Sequence, residues 1–148
     1  MNFTHLHVHT EYSLLDGSNK IKEYVDRVKE LGMDSAAITD HGVMYGVIDF
    51  YRAARAAGIN PILGCEVYVA PGSRFDREAG SGEDRYYHLV LLAENNQGYS
   101  NLMKIVSKGF VEGFYYKPRV DLQLLEKYHE GIIALSACLA GEVARFLT

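Results

Sequence analysis

The chain has 148 residues, 48% of them apolar and 23% charged, with a formal net charge of -4, which is room for one cooperative core and little more. No stretch approaches the roughly 20 consecutive apolar residues of a membrane helix, and histidines stand where a secretory signal would carry a basic run and then an apolar one. The acidic balance excludes a basic field over the whole chain, so any nucleic acid needs a local site or a neighbouring domain, and the two cysteines, Cys65 and Cys138, are no disulfide framework. These features point to a soluble cytoplasmic unit.

In chain order, NFTHLHV reads as a strand. NKIKEYVDRVKELG then sets Ile21, Tyr24, Val25, Val28 and Leu31 at helical spacing behind the cap candidates Ser18 and Asn19, with Gly32 as the stop. SAAIT is a short apolar strand, and GVIDFYRAARAAG a second helix ended by Gly58. INPILGCEVYVA and YYHLVLLA are strands, the latter apolar enough to be covered on both faces. QGYSNLMKIVSKG and LQLLEKY read as helices, GIIALSA as a fifth strand and GEVARFL as the start of a further helix. Strands alternating with helices imply a parallel sheet, open or closed into a barrel. Between Val69 and Tyr86, the Gly-, Ser- and charge-rich APGSRFDREAGSGEDR reads as a mobile surface loop or lid.

Metal-capable side chains recur at strand ends. His7 and His9, two apart on one strand, leave the same face at the end where barrel and open-sheet enzymes build their sites. His5 shares that parity but lies about 13 Å behind His9 at roughly 3.3 Å per residue, too far to join a small cluster easily. Asp16 closes the run. TDHG places Asp40 and His41 after the second strand, GCEVY puts Glu66 in the third, YYHL puts His88 in the fourth, and SACLAG puts Cys138 just after the fifth. Each taken singly has an ordinary structural reading: a hydrogen-bonded histidine, a turn aspartate in LLDG, a small core cysteine. Cys65 keeps that core reading, with its side chain facing away from Glu66. An acid inside an apolar strand is different, because its burial is costly unless a cation pairs with it.

Imidazole, carboxylate and one thiolate suit zinc, manganese or iron better than calcium or magnesium. The donors are too many for one tetrahedral ion. Two or three ions, with Glu66 as a bridge, would bring the pKa of a bound water towards 7 and clamp phosphate oxygens, which argues for phosphoester hydrolysis.

The segments HLHVHTEYSLLDG, AITDHGVMYGVIDFYRAARAAGINPILGCEVYVA, YYHLVLLAENNQGYSNLMKIVSKGF, GFYYKPRVD and LSACLAGEV resemble the polymerase-and-histidinol-phosphatase (PHP) domain found in the alpha subunits of C-family replicative DNA polymerases of bacteria. The resemblance runs from about His5 to Val143. H-x-H-T alone indicates only the superfamily, whereas LLAENNQGYSNLMKIVS and GFYYKPRVD indicate its polymerase branch. It implies an α/β fold, a distorted (β/α)7 barrel. It also implies metal ligands at His7, His9, Asp16, His41, Glu66, His88 and Cys138, without His5. The family's Asp-x-His pair near the end of the barrel has no match, and five strand-helix units are read where the fold needs seven. Residues 1–148 are therefore expected to be the first part of a PHP domain, and a protein ending at Thr148 to dimerise, aggregate or fold weakly through open strand edges.

The resemblance also sets the expected roles. His7, His9 and Glu66 are expected at the catalytic metal centre, with Asp40 orienting His41 from behind. Lys117 and Arg119 are candidate phosphate contacts or a solvated surface pair. The activity would be 3'-5' exonuclease proofreading or pyrophosphate hydrolysis within a DNA-directed DNA polymerase. A catalytically silent metal-stiffened scaffold and a stand-alone phosphatase of histidinol-phosphate type are the alternatives. Expected partners are DNA through the rest of a polymerase, that polymerase's other domains, the proofreading exonuclease subunit and other replisome subunits, with no membrane.

Overall fold

A computed structural model of the chain describes residues 3–78 and 86–147. It contains five helices, α1 (Ile21–Glu30), α2 (Val47–Ala57), α3 (Asn96–Val111), α4 (Leu122–Tyr128) and α5 (Glu142–Leu147), and six strands, β1 (Ser35–Ile38), β2 (Asn60–Val69), β3 (Tyr87–Ala93), β4 (Phe114–Tyr115), β5 (Lys117–Val120) and β6 (Ile132–Leu135). The fold is α/β, as expected. Its sheet is mixed rather than parallel: β2 pairs in parallel with β1 and β5, but β3 runs antiparallel to both β2 and β6. The connection from β2 to β3 contains no helix among the described residues, so nothing obliges β3 to run parallel to β2.

β2 organises the molecule. One edge takes β1 along Asn60–Leu63 and then β5 at Tyr68–Val69, while the other takes β3 from Gly64 to Val69. Beyond β1 the chain stays beside β2, as the Glu66 amide donates to the Asp40 carbonyl at 3.0 Å and the Gly42 amide to the Glu66 carbonyl at 2.8 Å. That continuation carries Asp40 and His41 to the level of Glu66. The described part of the expected first strand NFTHLHV, residues 3–8, carries no strand ladder. It lies against the end of β1, with the Thr39 amide donating to the Val8 carbonyl at 2.9 Å and the Val8 amide to Thr39 Oγ1 at 2.7 Å.

Two apolar clusters hold the layers together. α1 and α2 bury Ile21, Val25, Val28, Val47, Phe50 and Ala54 against Ala36 and Ile38 of β1, and α3 buries Leu102 and Ile105 against Val67, Val69 and Leu91. The apolar period of each helix supplies these faces. Capping departs from expectation at α1. Its N-cap, Lys20, caps with no side-chain bond; the Ile21 amide instead donates to the Glu11 carboxylate at 3.3 Å, and the Asn19 side chain is taken by the His9 carbonyl at 2.8 Å. Gly58, in the left-handed region at φ 78°, ends α2 as expected.

β4 and β5 were not anticipated as strands, because their charges and Pro118 mask the alternation. The polar segment after β2 is not wholly loose either. Arg74 is nearly buried and ion-paired to Asp121 at 2.9 Å and to Glu112 at 2.7 Å, and Arg77 donates to the Arg74 and Glu112 carbonyls, each at 2.7 Å. Residues 71–78 are thereby fastened to the ends of α3 and β5. The remainder of the expected lid, 79–85, lies outside the described residues.

Candidate metal centre

Glu66 sits in the middle of β2 and is fully buried. Its neighbours Cys65 and Val67 point into the apolar cluster on the other face, as strand alternation requires. Cys65 is thus the core thiol expected from the sequence, and burial raises its pKa far above the ordinary thiol range.

Four imidazoles converge on the Glu66 carboxylate. His7 Nε2 lies 3.0 Å and His88 Nδ1 3.4 Å from Oε1; His41 Nδ1 lies 2.5 Å and His9 Nε2 3.5 Å from Oε2. The donor atoms form two groups, His7–His9–Glu66 and His41–Glu66–His88, with all ligand atoms of each within 4.8 Å of one another. Glu66 belongs to both. Asp16 and Cys138 stand one step outside: Asp16 Oδ2 is 2.5 Å from His41 Nε2, and Cys138 Sγ is 3.6 Å from His88 Nδ1. His5 belongs to neither group: its ring is edge-on to Phe3 at 4.8 Å, although it shares a cleft with His7, His9 and Asp16.

These contacts are at ion-pair distance, yet the atoms do not satisfy one another. His7 Nε2, His9 Nδ1, His41 Nδ1 and both Glu66 oxygens are buried without a hydrogen bond among the described residues. Leaving so many polar atoms unpaired in one place is costly in a protein interior. Cations between the carboxylate and the orphaned nitrogens that face it, His7 Nε2 and His41 Nδ1, would satisfy these together, so the residues present fit a metal site. In the metal-free state, burial opposes ionisation of Glu66, but the His41 and His88 imidazoles outweigh it and pull its pKa well below the usual carboxylate range. Burial also opposes protonation of His41, yet Glu66 and Asp16 on its two nitrogens raise its pKa. His9, desolvated and stacked 3.8 Å from the His41 ring, has its pKa lowered.

Residues 5–148 match the family described as PHP domain. The chain belongs to that family. This PHP domain is 52% identical over 147 residues to the DNA polymerase III subunit alpha of Treponema pallidum, covering 99% of this chain and 13% of that protein. It is 50% identical over 145 residues to that of Aquifex aeolicus, covering 95% and 12%. The chain spans about an eighth of the length of the curated relatives it matches. A solved structure described as that of a candidate metal-dependent phosphoesterase from Bifidobacterium adolescentis is 21% identical over 74% of this chain and 35% of its own, with a TM-score of 0.49.

Around the PHP cluster, two residues, Asp40 and Arg119, sit in environments the sequence did not disclose. The Asp40 carboxylate is buried and accepts from the Thr10 amide at 2.6 Å, Thr10 Oγ1 at 2.7 Å and Ser13 Oγ at 2.7 Å, while Ser13 Oγ accepts from the His41 amide at 3.1 Å. Asp40 therefore fastens the loop that carries Asp16 and reaches His41 through Ser13 and the backbone, not through the imidazole. Arg119 is fully buried, and its guanidinium donates to the carbonyls of Gly113, Arg74 and Asp76. It is neither a surface cation nor a phosphate contact. Lys117, two residues away on β5, is exposed, with Nζ 5.4 Å from the centre of the Tyr68 ring.

Tyr68 and Tyr86 went unnoticed in the sequence. Tyr68 packs edge-on to His88 at 5.3 Å and Tyr86 lies parallel to His88 at 6.0 Å. The signal was available: each is two residues from a ligand candidate on an extended segment, and so shares its face.

Proposed function

We propose that this PHP domain is a metal-dependent phosphoesterase module of a bacterial replicative DNA polymerase of the DNA polymerase III alpha type. The observation that carries this reading is Glu66, whose two buried oxygens each meet imidazoles of both ligand groups. A carboxylate so placed suits two ions at once. His7, His9 and Glu66 would hold one, and His41, Glu66 and His88 another. Asp16 and Cys138 extend the set outward and leave room for a third. The mixed N, O and S donors favour zinc or manganese, with iron as a further candidate.

Bound ions would supply an acidified water near neutral pH and charge neutralisation at phosphate oxygens. The chain's own residues do the rest. Glu66 fixes the separation of the two ligand groups, the imidazoles of each group present nitrogens to its oxygens, and Asp40 holds the Asp16 loop in place as a positioning residue. Lys117 stands where it could meet a phosphate, a role the buried Arg119 does not share. The reactions that fit are 3'-5' exonuclease removal of a mismatched primer end and hydrolysis of released pyrophosphate. Nucleotidyl transfer would belong to the rest of a polymerase chain, in the cytoplasm, with DNA, the proofreading subunit and other replisome subunits as partners. No helix among the described residues is long and apolar enough to cross a membrane.

The test is Glu66→Gln in the full-length protein, loaded with zinc or manganese and assayed on a mismatched primer, on pyrophosphate and on a phosphomonoester. A loss of at least about 100-fold on the first or second supports the reading, since even outer-shell changes cost about 10- to 100-fold. No hydrolysis by the loaded parent leaves a metal-bearing scaffold instead. Turnover of the phosphomonoester alone would indicate the histidinol-phosphate type.

A further inference from the structure

Beside the ligand cluster opens a cleft of about 480 Å³ with an unusual division of its wall. One end is the cluster itself, through Asp16, His41 and His88. Its lining also includes Tyr68 with Lys117 over its ring, and an aromatic and apolar part with Tyr12, Leu14, Tyr45 and Phe110. Tyr45 and Phe110 also line a second cleft of about 440 Å³, with Met103, Val106 and Val111, so the apolar wall continues away from the cluster.

We propose that this groove is a nucleotide subsite: a phosphate lies between Lys117 and the ligand cluster, and the attached base stacks on the Tyr45–Phe110 wall. The inference rests on the phosphoesterase reading above and narrows it towards a nucleic-acid end and away from inorganic pyrophosphate. Three observations carry it. First, Lys117 is exposed and, among the described residues, has no carboxylate within ion-pair distance. Its ammonium is one ring removed from the cluster, since Tyr68 touches His88 at 5.3 Å and lies parallel to His41 at 6.4 Å. A phosphate reaching from the cluster would come next to it. The Asp16 carboxylate, the acid on this wall, is already engaged by His41.

Secondly, the Tyr45–Phe110 wall carries no cation among its lining residues, Met103, Val106 and Val111 continuing it. Tyr45 is 64% and Leu14 78% exposed, and large apolar groups left open beside a polar site are surfaces that a partner covers. Thirdly, charge and aromatic rings line a single groove. That combination complements a nucleotide, whose phosphate and flat π-face are joined through a sugar, and aromatic platforms beside a cation are how single strands are held without reading their bases.

The experiment uses the full-length protein with manganese and no deoxynucleoside triphosphates. Hydrogen exchange is followed with and without a short thymidine oligonucleotide, and separately with inorganic phosphate. The oligonucleotide is expected to slow exchange in peptides spanning 41–46 and 108–117, and phosphate to leave 108–111 unchanged. Tyr45→Ala should raise the KM for oligonucleotide hydrolysis about ten-fold, within the range of one lost stacking contact, and leave pyrophosphate hydrolysis within about two-fold. Lys117→Ala should weaken both. No difference in exchange in these peptides between the free and the oligonucleotide-bound protein would overturn the proposal. So would an oligonucleotide KM unmoved by Tyr45→Ala. Protection by the oligonucleotide without hydrolysis of any substrate would retain the subsite and remove the phosphoesterase reading.

Discussion

Glu66 is the residue on which the site depends, and its environment sets a pH signature. In the metal-free protein the folded-state pKa of His41 is raised. The stability this gives is fully present below about pH 6.5, the ordinary histidine value, and is lost as pH rises through the folded value. Metal ligation needs the neutral imidazole, so its stabilisation runs the other way and grows with pH. The lowered pKa of His9 contributes in the opposite sense in the chelated protein, so the difference between the two forms is the readout: the metal-loaded protein should gain melting temperature relative to the chelated protein from pH 6 to pH 8, and parallel curves over this range would count against ligation by these histidines. Asp40 gives a second test. Asp40→Asn turns an amide N–H₂ towards donors of Thr10 or Ser13, and should cost about 2–3 kcal/mol in denaturant unfolding. A cost below about 0.5 kcal/mol would mean the loop is held by other contacts. The ligand candidates were legible because strand parity and the expense of a buried acid are local facts. The setting of Asp40 was not, since its partners lie 27 and 30 residues away, and neither was the burial of Arg119, which depends on carbonyls of a loop that reads as solvent-facing.

Among the elements, the strap formed by residues 71–78 carries the clearest energetic prediction. Arg74 neutralises Asp121, the N-cap of α4, which is itself buried and also accepts the Leu124 amide at 2.9 Å. Arg74→Ala would leave that carboxylate without its cation and should destabilise by about 3–5 kcal/mol, with faster proteolysis between Pro71 and Glu78. A variant that unfolds at the parental denaturant midpoint would show the ion pairs to be dispensable. The helices were legible throughout, since period and stops are properties of each segment. Strand direction was not, because an apolar run such as YYHLVLLA is equally content beside a parallel or an antiparallel neighbour. The antiparallel course of β3 follows from what joins it to β2, and β4 and β5 were hidden by Pro118 and two cations on so short a pair.

For the whole molecule, the outer side of β6 and α5 matters most. Ile133, Leu139, Val143, Phe146 and Leu147 are between 45% and 84% exposed, and among the described strands β6 is paired on one edge, to β3. Such an edge and patch invite pairing with another chain. The 148-residue chain on its own should self-associate in light scattering, and a monodisperse monomer with a sharp thermal transition would contradict this. If one buried carboxylate joins two metal sites, its loss must remove metal, so metal content is the decisive measurement. Full-length protein and its Glu66→Gln variant would be loaded with zinc or manganese, desalted and measured by elemental analysis. The parent should retain about two equivalents or more and the variant at least one fewer; a parent holding less than about half an equivalent, or a variant matching it, would contradict the account.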